Sequence, residues 1–278
     1  MKQLFDKISL LSSRSVTRTY STSFSLGIFC LNRRFHNPVH SIYAFVRCAD
    51  EIVDSFHDYD KALLLEEFKQ ETLKAIERKI SLNPVLNSFQ HVVHQYNIGP
   101  ELIDCFLHSM AMDLEQQRHS AVSYDRYILG SAEVVGLMCL CVFTEGDKSR
   151  YEHLKASAMS LGAALQKVNF LRDLRQDYLE LGRVYFPGVD LELFSENDKA
   201  QIETDIQRDF DKALAGIRQL PQGARLGVYV AYMYYKALFK KIRSLPPRHV
   251  MQARVRIPNY QKMGLLAGSY VKHSFRML

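Results

Sequence analysis

The feature that most constrains this chain is its apolar spacing, which runs at three to four residues almost from end to end. Leu63, Leu64, Phe68, Leu73 and Ile76 form one such run, and Leu102, Ile103, Phe106, Leu107 and Met110 another. That period places the apolar side chains on one face of a helix, whereas a half-buried strand would alternate every second residue. Alternation is scarce, and only RVYF at 183 and ARVRI at 253 hint at short extended pieces. The prolines read as punctuation between helices, with NPVH at 37, NPVL at 83 and GPEL at 99 each placing Pro near a first helical turn. SEND at 195 reads as an N-cap. With no internal repeat, low-complexity tract or linker, residues 1–278 are expected to form a single all-α domain.

Several function classes are excluded at this level. No two glycines lie two apart and no Gly-Lys pair occurs, so neither GxGxxG nor GxxxxGK[ST] exists, and no GxSxG elbow appears. The five cysteines form no CxxC pair and sit in apolar runs such as LMCLCVF, as small buried hydrophobes of a reducing compartment do. His91 and His94 share a helix face without an HExxH, which gives no zinc site. The longest apolar stretches, such as VVGLMCLCVFT, fall short of the roughly 18–20 residues that span a bilayer. The N-terminal twenty residues lack the apolar core of a signal peptide. The expectation is a cytoplasmic protein. The net charge of +6 is a mild basic excess, first of all an ordinary solvated surface, and is compatible with anionic substrates or peripheral attachment to an acidic membrane surface. No basic block or nucleic-acid motif points to DNA or RNA.

Two acidic stripes carry the chemistry. In QKVNFLRDLRQDYLELGRVYFP, residues Gln166, Asn169, Asp173 and Asp177 fall at steps of three or four, on one face of a helix. Like charges so spaced repel by about 0.2–0.5 kcal/mol per pair unless a cation sits on them. Arg172 and Arg175 are close in sequence but are expected to point off this stripe. In SIYAFVRCADEIVDSF, residues Tyr43, Arg47, Asp50 and Asp54 share a face whose flanks are apolar over two turns. Carboxylates in such surroundings are costly unless compensated. Two such faces are reconciled if they confront each other across a cavity and share hard divalent cations. Mg²⁺ fits, with Mn²⁺ as an alternative, because it takes oxygen ligands and is held by one or two carboxylates together with substrate phosphates. Arg47, Arg172 and Arg183 would then supply fixed charge to phosphate oxygens. Ionisation of an allylic diphosphate in a greasy helical barrel is the chemistry this arrangement suits.

These residues resemble the squalene and phytoene synthases. YAFVRCADEIVD is similar to that family's first aspartate-rich motif and QKVNFLRDLRQDYLELGRVYFP to its second. YSTSFSLG at 20–27 resembles the flap-side motif, YILGSAEVVG at 127–136 a stretch carrying a pocket Tyr and Gly, and ARVRIPNYQKM at 253–263 the C-terminal basic segment. The resemblance implies an isoprenoid-synthase helical bundle around a central cavity and head-to-head condensation of two prenyl diphosphates. It implies metal binding by Asp50, Asp54, Asn169, Asp173 and Asp177. It places Ser21, Ser23, Phe24, Arg47, Tyr127, Gln166, Arg172, Arg183 and Arg254 on the diphosphate or prenyl chain, and gives Tyr43, Arg47, Tyr185 and Tyr235 catalytic roles. Glu51 stands where many relatives carry a second Asp, and one more residue than usual separates Asp177 from Gly182-Arg183. Within the family GRVYFP and ARVRIP look most like phytoene synthase, which implies two C20 substrates, an unreduced product and no NADPH. C15 synthases are the alternative, and a catalytically silent scaffold a more distant one. The oligomeric state is left open.

Overall fold

The computed structural model describes residues 1–115, 118–252 and 254–274. Its order is α1 (Lys2–Tyr20), α2 (Thr22–Phe29), α3 (Arg33–Ser55), α4 (Lys61–Arg78), α5 (Pro84–Tyr96), α6 (Pro100–Glu115), α7 (Ala121–Ile128), a π-helical turn (Leu129–Glu133), α8 (Val134–Thr144), α9 (Lys148–Leu179), α10 (Glu196–Ile217), α11 (Gln222–Arg243), α12 (Pro247–Val250) and α13 (Asn259–Ser274). The all-α expectation is met. The extended pieces shrink to one isolated bridge between Arg118 and Val184, and residues 254–258 form no strand.

Helix starts follow the caps in the sequence. Asn83 accepts from Val85 and Leu86 ahead of Pro84, and Ser195 forms a reciprocal capping box with Asp198. Pro38 differs from expectation. Asn32 caps α3 by accepting from the Arg34 N–H, so the helix starts at Arg33 and Pro38 lies inside it, where it cannot donate to the Arg34 carbonyl one turn back.

Helix α3 is the axis of one half of the core. Phe45 is fully buried, stacked on Phe89 at 3.9 Å and near Phe106 at 5.4 Å, which fixes α3 against α5 and α6. Truncating such a ring costs about 3–5 kcal/mol. In the other half Phe210 of α10 packs edge-on against Tyr232 and beside Phe239 of α11, with α9 alongside. The run 121–144 is 24 residues of continuous helix, long and apolar enough to cross a membrane, yet Met138, Leu140 and Val142 are buried in the core. Burial in the protein accounts for its hydrophobicity.

Two glycines set the geometry of the site. A Cβ on Gly162 would lie 2.5 Å from Ala132 O, so α9 crosses the π-turn backbone to backbone and only Gly fits. Gly182, at φ +67°, folds the chain back after α9, letting the Arg183 N–H donate to Asp177 O at 2.8 Å.

Candidate active site

A cavity of about 230 Å³ runs beside α9, lined on that helix by Asn169, Gln166, Leu165, Gly162, Ala158 and Leu154. One water needs roughly 10–15 Å³ on this measure, so the space suits an organic chain. Its remaining walls are mostly apolar and small, from α2, α3, the π-turn, α8, α10 and α11, with Phe143, Leu31 and Leu220 among them. Polar groups gather at one end: Tyr235 OH donates to Asn169 Oδ1 at 3.3 Å, and Asn169 Nδ2 lies 3.5 Å from Gln166 Oε1. Phe24 sits in the same wall with its ring 5.2 Å from that of Tyr43.

Beyond that end lie the acidic faces of α3 and α9. The Asp50 carboxyl is pushed up to about 7, by burial first and then by Asp54. Asp177 is likewise pushed up to about 7, by burial and then by Asp173 and Asp54, so the two helices feel each other's charge as the stripes require. Arg183, delivered by the Gly182 turn, spans them. Its Nη1 donates to Asp54 Oδ1 at 2.7 Å and to Tyr185 OH at 3.3 Å, and its Nη2 to Val53 O at 3.2 Å.

Asp113 of α6 is a member the sequence reading missed. It is buried, accepts from Tyr127 OH at 2.7 Å and Tyr185 OH at 3.5 Å, and lies 3.9 Å from Arg183. Burial pushes its carboxyl to about 7 against the opposing pull of Arg183. A signal existed: Asp113 continues the stripe of Leu102, Phe106, Ser109 and Met110, so the helix period places it inside. Tyr185 is held by stacking on Phe170 at 3.9 Å.

Two expectations need correction, at Arg172 and Tyr127. Arg172 does not point off the stripe, because its Nε turns onto Asp173 at 3.0 and 3.1 Å. Arg254 adds a second cation there, with Nε 2.7 Å from Asp173 Oδ1. Asp173 therefore has arginine partners, whereas Asp50 and Asp177 have no ion-pair partner among the described residues. Arg47 pairs with Glu51, and its guanidinium lies over the Tyr20 ring at 4.4 Å, with Nε buried and without a hydrogen-bond partner among the described residues. Tyr127 is absent from the cavity wall; its hydroxyl serves Asp113.

Ser21 caps α2 by accepting from the Phe24 N–H at 3.1 Å and lies within hydrogen-bonding reach of Tyr43, whose hydroxyl burial pushes up to about 12. Ser23, half-buried on α2, makes no hydrogen bond to the other site residues among those described. His91 and His94 are engaged by Asp6 and by Ile76 O, away from the site.

No three His, Cys, Asp or Glu side chains among the described residues converge as a ready-made metal cage. The donors still fit a hard divalent cation. Asp50, Asp54, Asp173 and Asp177 offer carboxylate oxygens and Asn169 an amide oxygen, burial and then neighbouring acids raise Asp50 and Asp177, and Mg²⁺ needs only one or two carboxylates when phosphates complete its shell.

An apolar cavity capped by facing acidic helices and arginines, in an all-helical fold, makes a site for an apolar chain with an anionic head. The squalene/phytoene synthase model matches residues 17–261, and the chain belongs to that family. It is a prenyltransferase of the head-to-head type. A phytoene synthase of Arthrospira platensis is 26% identical over 90% of this chain and 88% of its own length. A 15-cis-phytoene synthase of Synechocystis sp. is 28% identical over 93% and 83%. Among solved structures, a dehydrosqualene synthase superposes with a TM-score of 0.82 at 21% identity, covering 97% of this chain and 98% of that one. A squalene synthase from Alicyclobacillus acidocaldarius gives 0.73 at 22% identity, covering 86% and 94%.

Proposed function

We propose that the chain condenses two C20 prenyl diphosphates into an unreduced C40 hydrocarbon of the phytoene type, with Mg²⁺ as cofactor and no NADPH. The observation that carries the chain length is the cavity's depth. From Asn169 to Leu154 it follows fifteen residues of α9, which is about 22 Å at 1.5 Å per residue. With zig-zag C–C bonds near 1.5 Å, an extended C20 chain reaches roughly 19 Å and a C15 chain roughly 14 Å. The relatives named phytoene synthase support the same reading.

In this reading Asp50 and Asp54 on α3, with Asn169, Asp173 and Asp177 on α9, hold the metal. Mg²⁺ there would supply positive charge that stabilises the departing diphosphate. Arg47, Arg172, Arg183 and Arg254 exchange their carboxylate partners for diphosphate oxygens, which suit the bidentate guanidinium fork. The first substrate loses diphosphate, and its allylic carbon bonds to the double bond of the second. Proton loss then closes a cyclopropane that keeps the second diphosphate. Loss of that diphosphate, rearrangement and a second proton loss complete the product. Tyr235, at the polar end of the cavity, and the Tyr43 and Tyr185 hydroxyls beside the arginines orient the diphosphates, while the Phe24 ring in the cavity wall, with Tyr43 packed on it, offers a π face to the carbocation. Ser21 and Ser23 lie at the start of α2, next to the Phe24 that lines the cavity.

Incubation with labelled C15 and C20 prenyl diphosphates, in Mg²⁺ and in excess EDTA, tests the reading. C20 should be consumed at least about tenfold more efficiently than C15, and only with metal. Preference for C15 would refute the chain length, and turnover in EDTA the metal.

A further inference from the structure

After α3 the chain reverses within residues 56–60. The His57 N–H donates to Ser55 O at 2.9 Å and the Tyr59 N–H to Phe56 O at 3.2 Å, and Asp60 caps α4 by accepting from the Leu63 N–H at 3.0 Å. This turn brings Lys61, the first residue of α4, back over the last turn of α3. The Lys61 Nζ donates to Val53 O at 3.0 Å and to His57 Nδ1 at 2.9 Å, which fixes His57 as the tautomer with its proton on Nε2. An ammonium carries three N–H donors, and the third has no partner among the described residues. Lys61 is half-buried and makes no ion pair among the described residues.

Val53 O also accepts from Arg183 Nη2 at 3.2 Å, so two cationic heads meet on one carbonyl oxygen. The acid beside them is Asp54, which Arg183 Nη1 already holds at 2.7 Å. Burial and then the Arg183 charge lower the Lys61 pKa, against the pull of Asp54. The Asp54 side chain is 40% exposed and that of Arg183 only 8%, so the cluster opens at Asp54. A lysine on the last carbonyls of a helix is ordinarily a C-cap. A C-cap has no need of a second cation on the same oxygen, and like charges so close repel unless an anion joins them.

We infer that Lys61 is a further diphosphate ligand, standing with Arg183 at the Asp54 end of α3. The inference rests on the proposed function, in which Asp54 serves a divalent cation. Lys61 and Arg183 then have only an engaged carboxylate between them, and a diphosphate group supplies the anion they lack. Arg183 offers a planar fork and Lys61 a compact point charge, the two forms in which proteins hold phosphate oxygens. Val53 O and His57 Nδ1 fix the ammonium from two sides and leave its third N–H for the ligand. Lys61 lies outside both acidic stripes, and only the turn after α3 brings it to them.

Calorimetric titration with inorganic diphosphate in Mg²⁺ reads this contact without turnover. Lys61→Gln keeps an N–H donor for Val53 O and removes the charge. It should weaken diphosphate binding about tenfold, and Lys61→Arg should restore it to within about threefold, with both proteins melting near the wild type. Lys69→Gln makes the same change of charge about 12 Å further along α4, beside Asp104, and should bind as the wild type does. Unchanged affinity in Lys61→Gln would overturn the inference, and a lowered thermal midpoint in that protein would make Lys61 a helix cap. Equal losses in Lys61→Gln and Lys69→Gln would overturn it too, by reducing the effect to net charge. A wild-type protein that binds no inorganic diphosphate would refute the diphosphate reading of the whole mouth, a result distinct from the failure of Lys61 alone.

Discussion

The Arg183 guanidinium stands 2.7 Å from Asp54, joining the turn after α9 to the end of α3 across 129 residues of sequence. This contact holds the two acidic helix faces in register. It also leaves Asp113, at 3.9 Å from the same guanidinium, as the buried carboxylate with the weaker claim on it.

Asp113→Asn separates a functional from a structural role. The amide keeps an acceptor for Tyr127 OH but removes a buried charge whose carboxyl is held near 7. The expected result is a fall in kcat/KM of about 100-fold, equivalent to about 2.7 kcal/mol, with a thermal midpoint unchanged or raised at pH 8. A protein that melts early but turns over normally would make Asp113 a structural acceptor only.

Arg47→Lys tests the diphosphate assignment on α3. The pair with Glu51 is partly exposed, and such pairs are worth about 0.3–0.5 kcal/mol, so its weakening alone should barely change catalysis. Lys cannot reproduce the fork, and its shorter head leaves the Tyr20 ring. A loss of at least about tenfold in kcat/KM is expected, with little change in melting. Normal kinetics in the Lys protein would confine Arg47 to its partnership with Glu51.

The helical class and both acidic stripes were legible in the sequence because each is a local periodicity. Asp50 and Asp54, and Asn169, Asp173 and Asp177, declare their faces through steps of four on single helices. The contacts that complete the site are not periodic. Arg254 reaches Asp173 from 81 residues away, and Arg172 folds onto its immediate neighbour, a contact that helix geometry alone disfavours. Asp113 is one acid at the end of an apolar stripe, with no second carboxylate to mark it. Pro38 misled because a proline five residues into a helix looks like one at its start.

Cavity depth is open to a direct probe at Ala158. Eleven residues of α9 separate it from Asn169, about 16 Å, and its side chain faces the cavity. Ala158→Phe should block an extended C20 chain of roughly 19 Å while admitting C15 at roughly 14 Å. Product analysis should show C40 replaced by C30. Undiminished C40 synthesis would mean the chain does not run along α9.

His40 gives the fold a pH dependence that does not involve the site. It is buried on α3, its Nδ1 has no hydrogen-bond partner among the described residues, and burial, reinforced by Arg14, His36 and Arg18, lowers its pKa from 6.5 to about 4. A depressed histidine is neutral in the fold and takes its proton first in the unfolded chain. Its contribution is therefore intact above 6.5 and lost as pH falls towards 4, up to on the order of 3 kcal/mol. Denaturant titrations between pH 7 and 4 should show the wild type losing more stability than His40→Gln by about that amount. Parallel profiles would place the acid sensitivity elsewhere.

The central claim is that two prenyl diphosphates are joined head to head at the facing stripes of α3 and α9. The most direct measurement is the stoichiometry of a reaction with C20 prenyl diphosphate, Mg²⁺ and NADPH, following inorganic diphosphate and hydrocarbon together. The account predicts two diphosphates released for each C40 hydrocarbon, with the product unreduced and NADPH unconsumed. One diphosphate released per condensation, with the other retained on a longer prenyl diphosphate, would contradict it.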